Sequence, residues 1–244
     1  MEQTGTLACL SVAARAWLTE LAQLLAPQEC AGCGQEGQSL CPACTAAFGP
    51  PRLVGNAAPL PVFALAEYDG TARALILAYK ERRRTDLDAP LEQAMRAAGR
   101  CLAGQLAPLP AVLVVPAPSG WRRRWRGALV SMRLATALAQ GIGQAGAGSA
   151  QIAAHAADLL RRNGGGNQSG QGARGRSRQR RARIYANGRQ LARWGGRAKS
   201  LAGRAVVLVD DVATTGATLQ AARWELERLG AVVVAAVALA AVPK

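Results

Sequence analysis

Apolar residues recur along the chain in two distinct rhythms. From Val12 to Leu25 they fall at helical spacing, with Ala13, Trp17, Leu21, Leu24 and Leu25 on one face. That pattern predicts a leading helix, stopped by Pro27. GPPRLVGNAAPLP is dense in Pro and Gly and reads as a linker or turn-rich segment. Val62 to Tyr68 reads as a strand and Asp69-Gly70 as a turn, and a helix follows over Thr71 to Tyr79, bearing Leu75, Ile76 and Leu77. After the basic loop KERRRTD, Leu91 to Leu106 is a second helix. Ala111 to Val115 is a continuous apolar run ending in PAPSG, as expected of a parallel strand buried on both faces. WRRRWRG precedes a helix from about Leu129 to Gln140, and Gly141 to Gly148 is rich in Gly and Ala. Structure is expected to resume over Ala157 to Arg162. The remaining elements are a strand at Ala205 to Val209, a helix to about Leu229 and a last strand near Val232 to Val237. Strands alternating with helices, several of the strands unbroken in apolarity, predict an α/β fold with a parallel sheet covered on both faces.

One stretch breaks the rhythm. From Asn163 to Arg183 almost no residue is apolar, while Gly and Arg abound. Such a segment cannot bury enough surface to offset its ordering entropy unless a ligand orders it. A flexible insert is expected there.

The chain has 244 residues, enough for one ordinary domain and a small module. Half the residues are hydrophobic but only 4% are aromatic, so the core should be aliphatic. The net charge is +15, carried almost wholly by arginine, since lysine occurs only at positions 80, 199 and 244. So basic a balance fits an anionic partner, nucleic acid first. A genome that favours arginine and alanine is the alternative. The longest apolar run, AVVVAAVALAAV over Ala231 to Val242, is too short to span a bilayer. The N-terminus lacks the signal-peptide pattern. The expectation is a cytoplasmic protein, with no membrane insertion and its thiols reduced.

Four of the six cysteines lie in CAGCGQEGQSLCPAC, two C-x2-C knuckles separated by seven residues. Cys30, Cys33, Cys41 and Cys44 can thus stand at the corners of a tetrahedron, the geometry of a closed structural Zn2+ site with no open position for a substrate. Gly32, Gly34 and Gly37 relieve crowding around the metal, and Pro42 stiffens the second knuckle. Paired disulfides are the alternative, disfavoured in a reducing compartment. Cys9 and Cys101 lie apart and are expected to be small buried residues.

The strand AVVLV delivers Asp210 and Asp211 to the carboxyl end of the sheet, where open α/β folds bind ligands. Ala213, Thr214, Thr215, Gly216 and Ala217 then turn tightly into a helix. Small side chains leave backbone amides free to converge on a phosphate, the helix start adds its dipole, and Thr214, Thr215 and Thr218 add hydroxyls. The carboxylates sit where ribose hydroxyls lie if the 5′-phosphate fills the loop. This is not a Walker loop, because no G-x-x-x-x-G-K-[ST] precedes the helix. A simple N-cap cluster explains one Asp and one Thr, but not the whole set.

VVLVDDVATTGAT resembles the 5-phosphoribosyl-1-pyrophosphate (PRPP) signature of type I phosphoribosyltransferases. Together with the four-cysteine ribbon, YDGTARALILAYK, the VVPAP strand end and the Arg-rich middle, it resembles the ComF/GntX family of competence-associated phosphoribosyltransferase-like proteins. The resemblance implies the type I phosphoribosyltransferase fold over residues 60–244, preceded by a leading helix and zinc ribbon over 1–50. It implies that Asp210 and Asp211 bind the ribose hydroxyls. It also implies that Val212, Ala213, Thr214, Thr215, Gly216, Ala217 and Thr218 bind the 5′-phosphate, and that Mg2+ accompanies PRPP. Lys80 matches the basic end of the Y-x-G…L-x-x-x-K segment, beside the pyrophosphate, so Asp210, Asp211 and Lys80 are the expected catalytic residues. Arg82 to Arg84 either add positive field there or form a solvated loop. Two departures concern the acceptor half. Where the family carries Arg-Gly-Phe-Asn-Gln, this chain reads Arg126-Gly127-Ala128-Leu129-Val130. The family's Q-x-G-L segment is met only by Gln168-Ser169-Gly170-Gln171.

The resulting expectation is Mg2+-dependent transfer of phosphoribose to a nitrogen acceptor, in a protein associated with competence and DNA uptake. Charge stabilisation of the departing pyrophosphate needs no covalent nucleophile. That suits a chain whose one histidine, His155, has no triad partners and is expected to be structural or at the surface. The alternative is a non-catalytic accessory factor for DNA uptake that works with competence proteins. In that reading Arg122 to Arg126 and Arg174 to Arg183 grip single-stranded DNA, and Trp121 and Trp125 stack on bases or form the core side of an amphipathic turn. A purine operon-type regulator is a third reading, but no winged-helix segment is visible.

Overall fold

The computed structural model describes residues 29–57, 60–81, 84–118, 127–145, 152–162 and 184–243. The leading helix, Cys9, Arg82, Arg83, the WRRRWR stretch and the segment 163–183 lie outside the described residues.

The elements in chain order are a short α1 (Pro42–Thr45), β1 (Arg52–Ala57), β2 (Leu60–Glu67), α2 (Gly70–Glu81), α3 (Asp88–Leu106), β3 (Ala111–Pro116), α4 (Gly127–Gln144), β4 (Ala153–Ala156), β5 (Leu160–Arg162), β6 (Ile184–Ala186), α5 (Gly188–Gly195), β7 (Ala205–Ala213), α6 (Ala217–Arg228) and β8 (Val232–Ala241). Six strands form one sheet in the order β1-β2-β8-β7-β3-β4. All neighbours are parallel except β1 and β2, which run antiparallel. The α/β fold with a mainly parallel sheet, expected from the alternation of strands and helices, is the fold observed.

Alternation along the strands sends side chains into two cores. Val207 and Val209 of β7 join Leu75 and Ile76 of α2, Met95 and Leu102 of α3, and Leu134 and Leu138 of α4 on one face. Val206 and Leu208 join Leu191 of α5 and Leu219, Ala222 and Leu226 of α6 on the other. Each fully buried aliphatic side chain contributes about 1.5–3 kcal/mol. β7, buried on both faces, is thereby among the most firmly held strands and makes a rigid base for the residues at its end.

Two local readings are corrected. The segment read as a linker contains β1, which pairs with β2 through a register shift between Leu53 and Gly55. Pro50 and Pro51 stand just before it and Gly55 sits at its register shift, as suits an irregular, antiparallel edge strand. The helix expected to end at Gln140 runs on to Gln144. Gly141 is not a stop signal there, because a side chain at that position would collide with the Arg96 carbonyl of α3, and one at Gly99 with the Leu138 carbonyl of α4. The two glycines let the backbones of α3 and α4 touch. Gly141→Leu should therefore destabilise the protein by at least about 1–3 kcal/mol, read as a fall in Tm. Gly104→Ala, also in α3 but with nothing within 4 Å of an added Cβ, should raise stability by about 0.5–1 kcal/mol. Equal effects from both substitutions would contradict the close helix contact.

Cys101, expected to be buried, is exposed on α3. Beyond β4 the chain makes the small antiparallel pair β5–β6, with Arg162 opposite Ile184. This pair brings together Arg162 and Ile184, the residues on either side of the Gly/Arg-rich segment. Since β4 runs parallel to β7, the pair is placed after the carboxyl end of the sheet, where Asp210 and Asp211 also lie. No helix among the described residues is long and apolar enough to cross a membrane.

Candidate functional site

Asp210 and Asp211 occupy the carboxyl end of β7. Continuing the alternation of the valines before them sends the two carboxylates to opposite faces of the sheet. Asp211 is buried on the α2 face, where Lys80 in the last turn of α2 meets it with Nζ 2.5 Å from Oδ2. Lys80 is thus held by an aspartate of β7, a partner its sequence position does not reveal. Asp210 is half-buried, and the backbone amide of Asp211 donates to its Oδ1 at 2.9 Å. Burial pushes its carboxyl up to about 8 and the charge of Asp211 adds to the rise, while the Asp211 amide and Lys80 oppose it. At neutral pH the Asp210 carboxyl therefore holds its proton, with Lys80 the nearby cation.

The loop after the pair is open. Thr214, Thr215 and Ala217 are exposed, and Gly216 and Thr218 are partly so. Gly216 takes φ of 74°, a left-handed conformation natural to glycine, and starts α6 without a side-chain cap. The Ala217 amide reaches Thr215 Oγ1 at a long 3.4 Å. The loop therefore offers hydroxyls and first-turn amides to an anion at the positive end of a 12-residue helix. The helix starts near the expected place, but β7 runs on past Val209 to Ala213, so Asp210 to Ala213 lie in the strand, Thr214 to Gly216 form the turn, and Ala217 and Thr218 open α6.

Lys80→Met leaves Asp211 without its cation. This should lower stability by about 1–3 kcal/mol and shift thermal unfolding accordingly. Arg at this position should restore most of the loss, and an unchanged melting curve for the Met variant would contradict the pairing.

The four-cysteine site is distinct. The Sγ atoms of Cys30, Cys33, Cys41 and Cys44 all lie within 4.8 Å of one another. Cys33 and Cys41 are 3.8 Å apart, the edge of a tetrahedron with metal–sulfur bonds of about 2.3 Å, and too far apart for a disulfide. All four are free thiols. The Cys41 amide donates to Cys30 Sγ at 3.3 Å and the Cys44 amide to Cys41 Sγ at 3.4 Å. Burial of Cys30 works against its ionisation, but the amides of Cys41, Cys33 and Gly32 outweigh it and bring the thiol down to about 6. Burial pushes the Cys44 thiol up, and a bound cation reverses such a shift. A side chain at Gly32 would stand 2.7 Å from Cys44 Sγ and 2.9 Å from Thr71 Cγ2. The glycine read as relief from crowding is thus wedged between the ligand set and the first turn of α2. The donor set fits a tetrahedral ion.

Arg84 is engaged by the ribbon and by Asp86. Its Nη2 donates to the carbonyls of Glu29 at 3.2 Å and Ser39 at 3.0 Å, and the guanidinium pairs with Asp86. It ties the ribbon to the turn before α3, a structural role that neither a pyrophosphate contact nor a solvated loop describes. The signal for it was only the Arg-x-Asp spacing. His155 is exposed on β4, against the ring of Trp194 and away from the loop.

The model of one protein family, described as Phosphoribosyl transferase domain, matches residues 131–244. That stretch includes β7, the acidic pair, the loop and α6, but neither the ribbon nor Lys80. No curated protein matches the chain. Among solved structures, the chain is similar to one described as a purine phosphoribosyltransferase from Pyrococcus horikoshii Ot3. The identity is 20%, the match covers 61% of this chain and 72% of that one, and the TM-score is 0.31.

Proposed function

We propose that the chain binds PRPP, with the 5′-phosphate in the Val212–Thr218 loop and the ribose hydroxyls on Asp210 and Asp211. The observation that carries this reading is the junction of β7 and α6. There, two carboxylates of a strand buried on both faces stand directly before an exposed, uncapped helix start. Asp210 and Asp211 are also suited to a divalent cation, because its charge offsets the burial and the Asp211 charge that keep Asp210 protonated. Mg2+ bound there supplies charge neutralisation for a departing pyrophosphate. The chain's own part is to hold the phosphate, accept the ribose hydroxyl hydrogen bonds and keep Lys80 near the acidic pair. The reaction is transfer of phosphoribose to a nitrogen acceptor. Cys30, Cys33, Cys41 and Cys44 hold Zn2+ as a structural ion, which suits a reducing, cytoplasmic setting.

Calorimetry with PRPP and Mg2+, followed by a pyrophosphate-release assay across pools of bases, nucleosides and single-stranded DNA, tests the reading. Binding with release identifies the acceptor class, binding alone leaves a PRPP sensor, and absence of binding overturns the proposal.

The association with competence and DNA uptake is a second reading, supported by the net charge of +15 and the arginine clusters. The residues expected to touch DNA, Arg122 to Arg126 and Arg174 to Arg183, lie outside the described residues. Single-stranded DNA affinity that falls steeply with salt supports this reading, and a flat salt response opposes it.

A further inference from the structure

The sheet ends on β4, whose backbone is paired on one side only. The Ala153 amide bonds to Pro110 O at 3.1 Å and the Ala157 amide to Val114 O at 2.9 Å, so the odd-numbered residues face β3. Ala154 and Ala156 therefore turn their N–H and C=O groups outward. Among the described residues nothing pairs with them. The strand reads Ala-Ala-His-Ala, without the lysine, proline or bulge that usually guards an edge.

Two clefts flank this edge, one on each face. A cleft of about 440 Å3 lies between the end of α4 and β4, lined by Gln140, Gly143, Gln144 and Ile152. A smaller one of about 180 Å3 lies on the α5 side, lined by Leu113, Trp194 and Arg204. Ala153 and His155 border both. Neither lining includes a carboxylate. Arg96 bonds to Gln140 Oε1 at 2.8 Å beside the first, and Arg204 lines the second, with the Arg193 guanidinium 5.9 Å from the Trp194 ring centre.

We propose that β4 is a docking edge for an extended acidic peptide of a partner protein, which adds as a seventh strand. An added strand sends successive side chains to opposite faces, and here each face offers a cleft with an arginine beside it. This is the arrangement by which a sheet edge selects a peptide: backbone groups hold it and alternate side chains are read in pockets. A second copy of the chain suits the edge poorly, because it brings two arginine-flanked surfaces of like charge together. A nucleic acid has no amide ladder to offer Ala154 and Ala156. The proposal does not rest on the phosphoribose reading, and its test uses no PRPP.

The test is an array of peptides about six residues long, alternating Glu with each aliphatic or aromatic residue, beside a matching Lys series. The full-length protein should retain members of the Glu series. Ala154→Pro removes an outward amide while leaving the β3 ladder intact, and should weaken binding roughly tenfold or more. Arg204→Glu should weaken the Glu series and favour the Lys series. Should Ala154→Pro lose its circular dichroism spectrum, N-methylation of the peptide's ladder amides makes the same cut on the other partner, and binding should again be lost. The proposal is overturned if no Glu peptide binds, or if binding survives both Ala154→Pro and peptide N-methylation. It is equally overturned if an oligothymidylate is the ligand that Arg204→Glu loses and Ala154→Pro keeps, or if the unliganded protein forms a dimer that Ala154→Pro dissolves.

Discussion

Asp210→Asn combined with Asp211→Asn should abolish measurable PRPP binding in calorimetry with Mg2+ present. A hydrogen bond to a charged group contributes about 1.5–3 kcal/mol. Two lost carboxylates thus cost about 3–6 kcal/mol, a fall in affinity of roughly 10²- to 10⁴-fold. Asparagine keeps the size of each side chain, but Asp211→Asn also removes the charge that Lys80 pairs with, so a melting curve recorded beside the titration separates a loss of folding from a loss of the ligand. Undiminished affinity in the double variant removes the carboxylates from the site.

The same pair predicts opposite pH trends for stability and for binding. In the folded protein the Asp210 carboxyl titrates at about 8, above its ordinary 3.8. Between those values the folded state holds a proton that the unfolded state has released. Its contribution to stability is therefore full below about pH 4 and is lost as pH rises through about 8. Asp210→Asn alone has no proton to lose, so it should raise Tm at pH 8 relative to the parent, at about 2–4 °C per kcal/mol for a chain of this size. The difference should close near pH 4. Binding moves the other way, because ribose hydroxyls and a divalent cation both prefer the ionised carboxylate. Affinity should climb as pH rises toward about 8, with proton release in the calorimeter at neutral pH. A binding site that is less stable empty than its asparagine variant fits a pair of charges kept for a ligand.

Much of this site was legible because its signals are local. An apolar run of five, two aspartates, a threonine pair and a glycine specify strand, turn and helix start within a short window, and β7 and α6 form around them. The cysteine spacing was equally local. What the sequence hid are contacts between distant segments. The helical period around Gly141 looks broken until the α3 backbone is seen to need the space. Arg84 sits in a basic run that suggests a ligand, yet its partners are backbone carbonyls of the ribbon, groups that no side-chain pattern marks. Lys80 was singled out by its motif, but its meeting with Asp211 depends on how α2 lies against the end of β7. β1 was missed because edge strands tolerate the prolines and glycines that punctuate loops.

Removing the metal from the four-cysteine site should unfold the ribbon and weaken the phosphoribose site together. Structural zinc supplies about 10–16 kcal/mol of apparent binding energy in small finger peptides. Here Cys30, Cys41 and Cys44 are also part of the core that includes Leu65, Leu75 and Ile76, so losing the ion exposes apolar surface of the larger domain as well. Chelation, or Cys44→Ser, should lower stability by several kcal/mol, seen as a depressed and broadened thermal transition. The effect reaches the acidic pair through α2. Gly32 lies between Cys44 and Thr71 of the helix's first turn, with no room for a further methyl, and the last turn carries Lys80 to Asp211. PRPP affinity should accordingly fall about tenfold in the metal-depleted protein, a loss of roughly 1.4 kcal/mol, and return on adding Zn2+ back. Gly32→Ala should mimic the depletion with all four ligands present, because its methyl occupies the space between Cys44 Sγ and Thr71. Elemental analysis giving about one zinc per chain, lost in step with the transition, is the expected result. A zinc-free protein that melts at the parent temperature rules out the metal site.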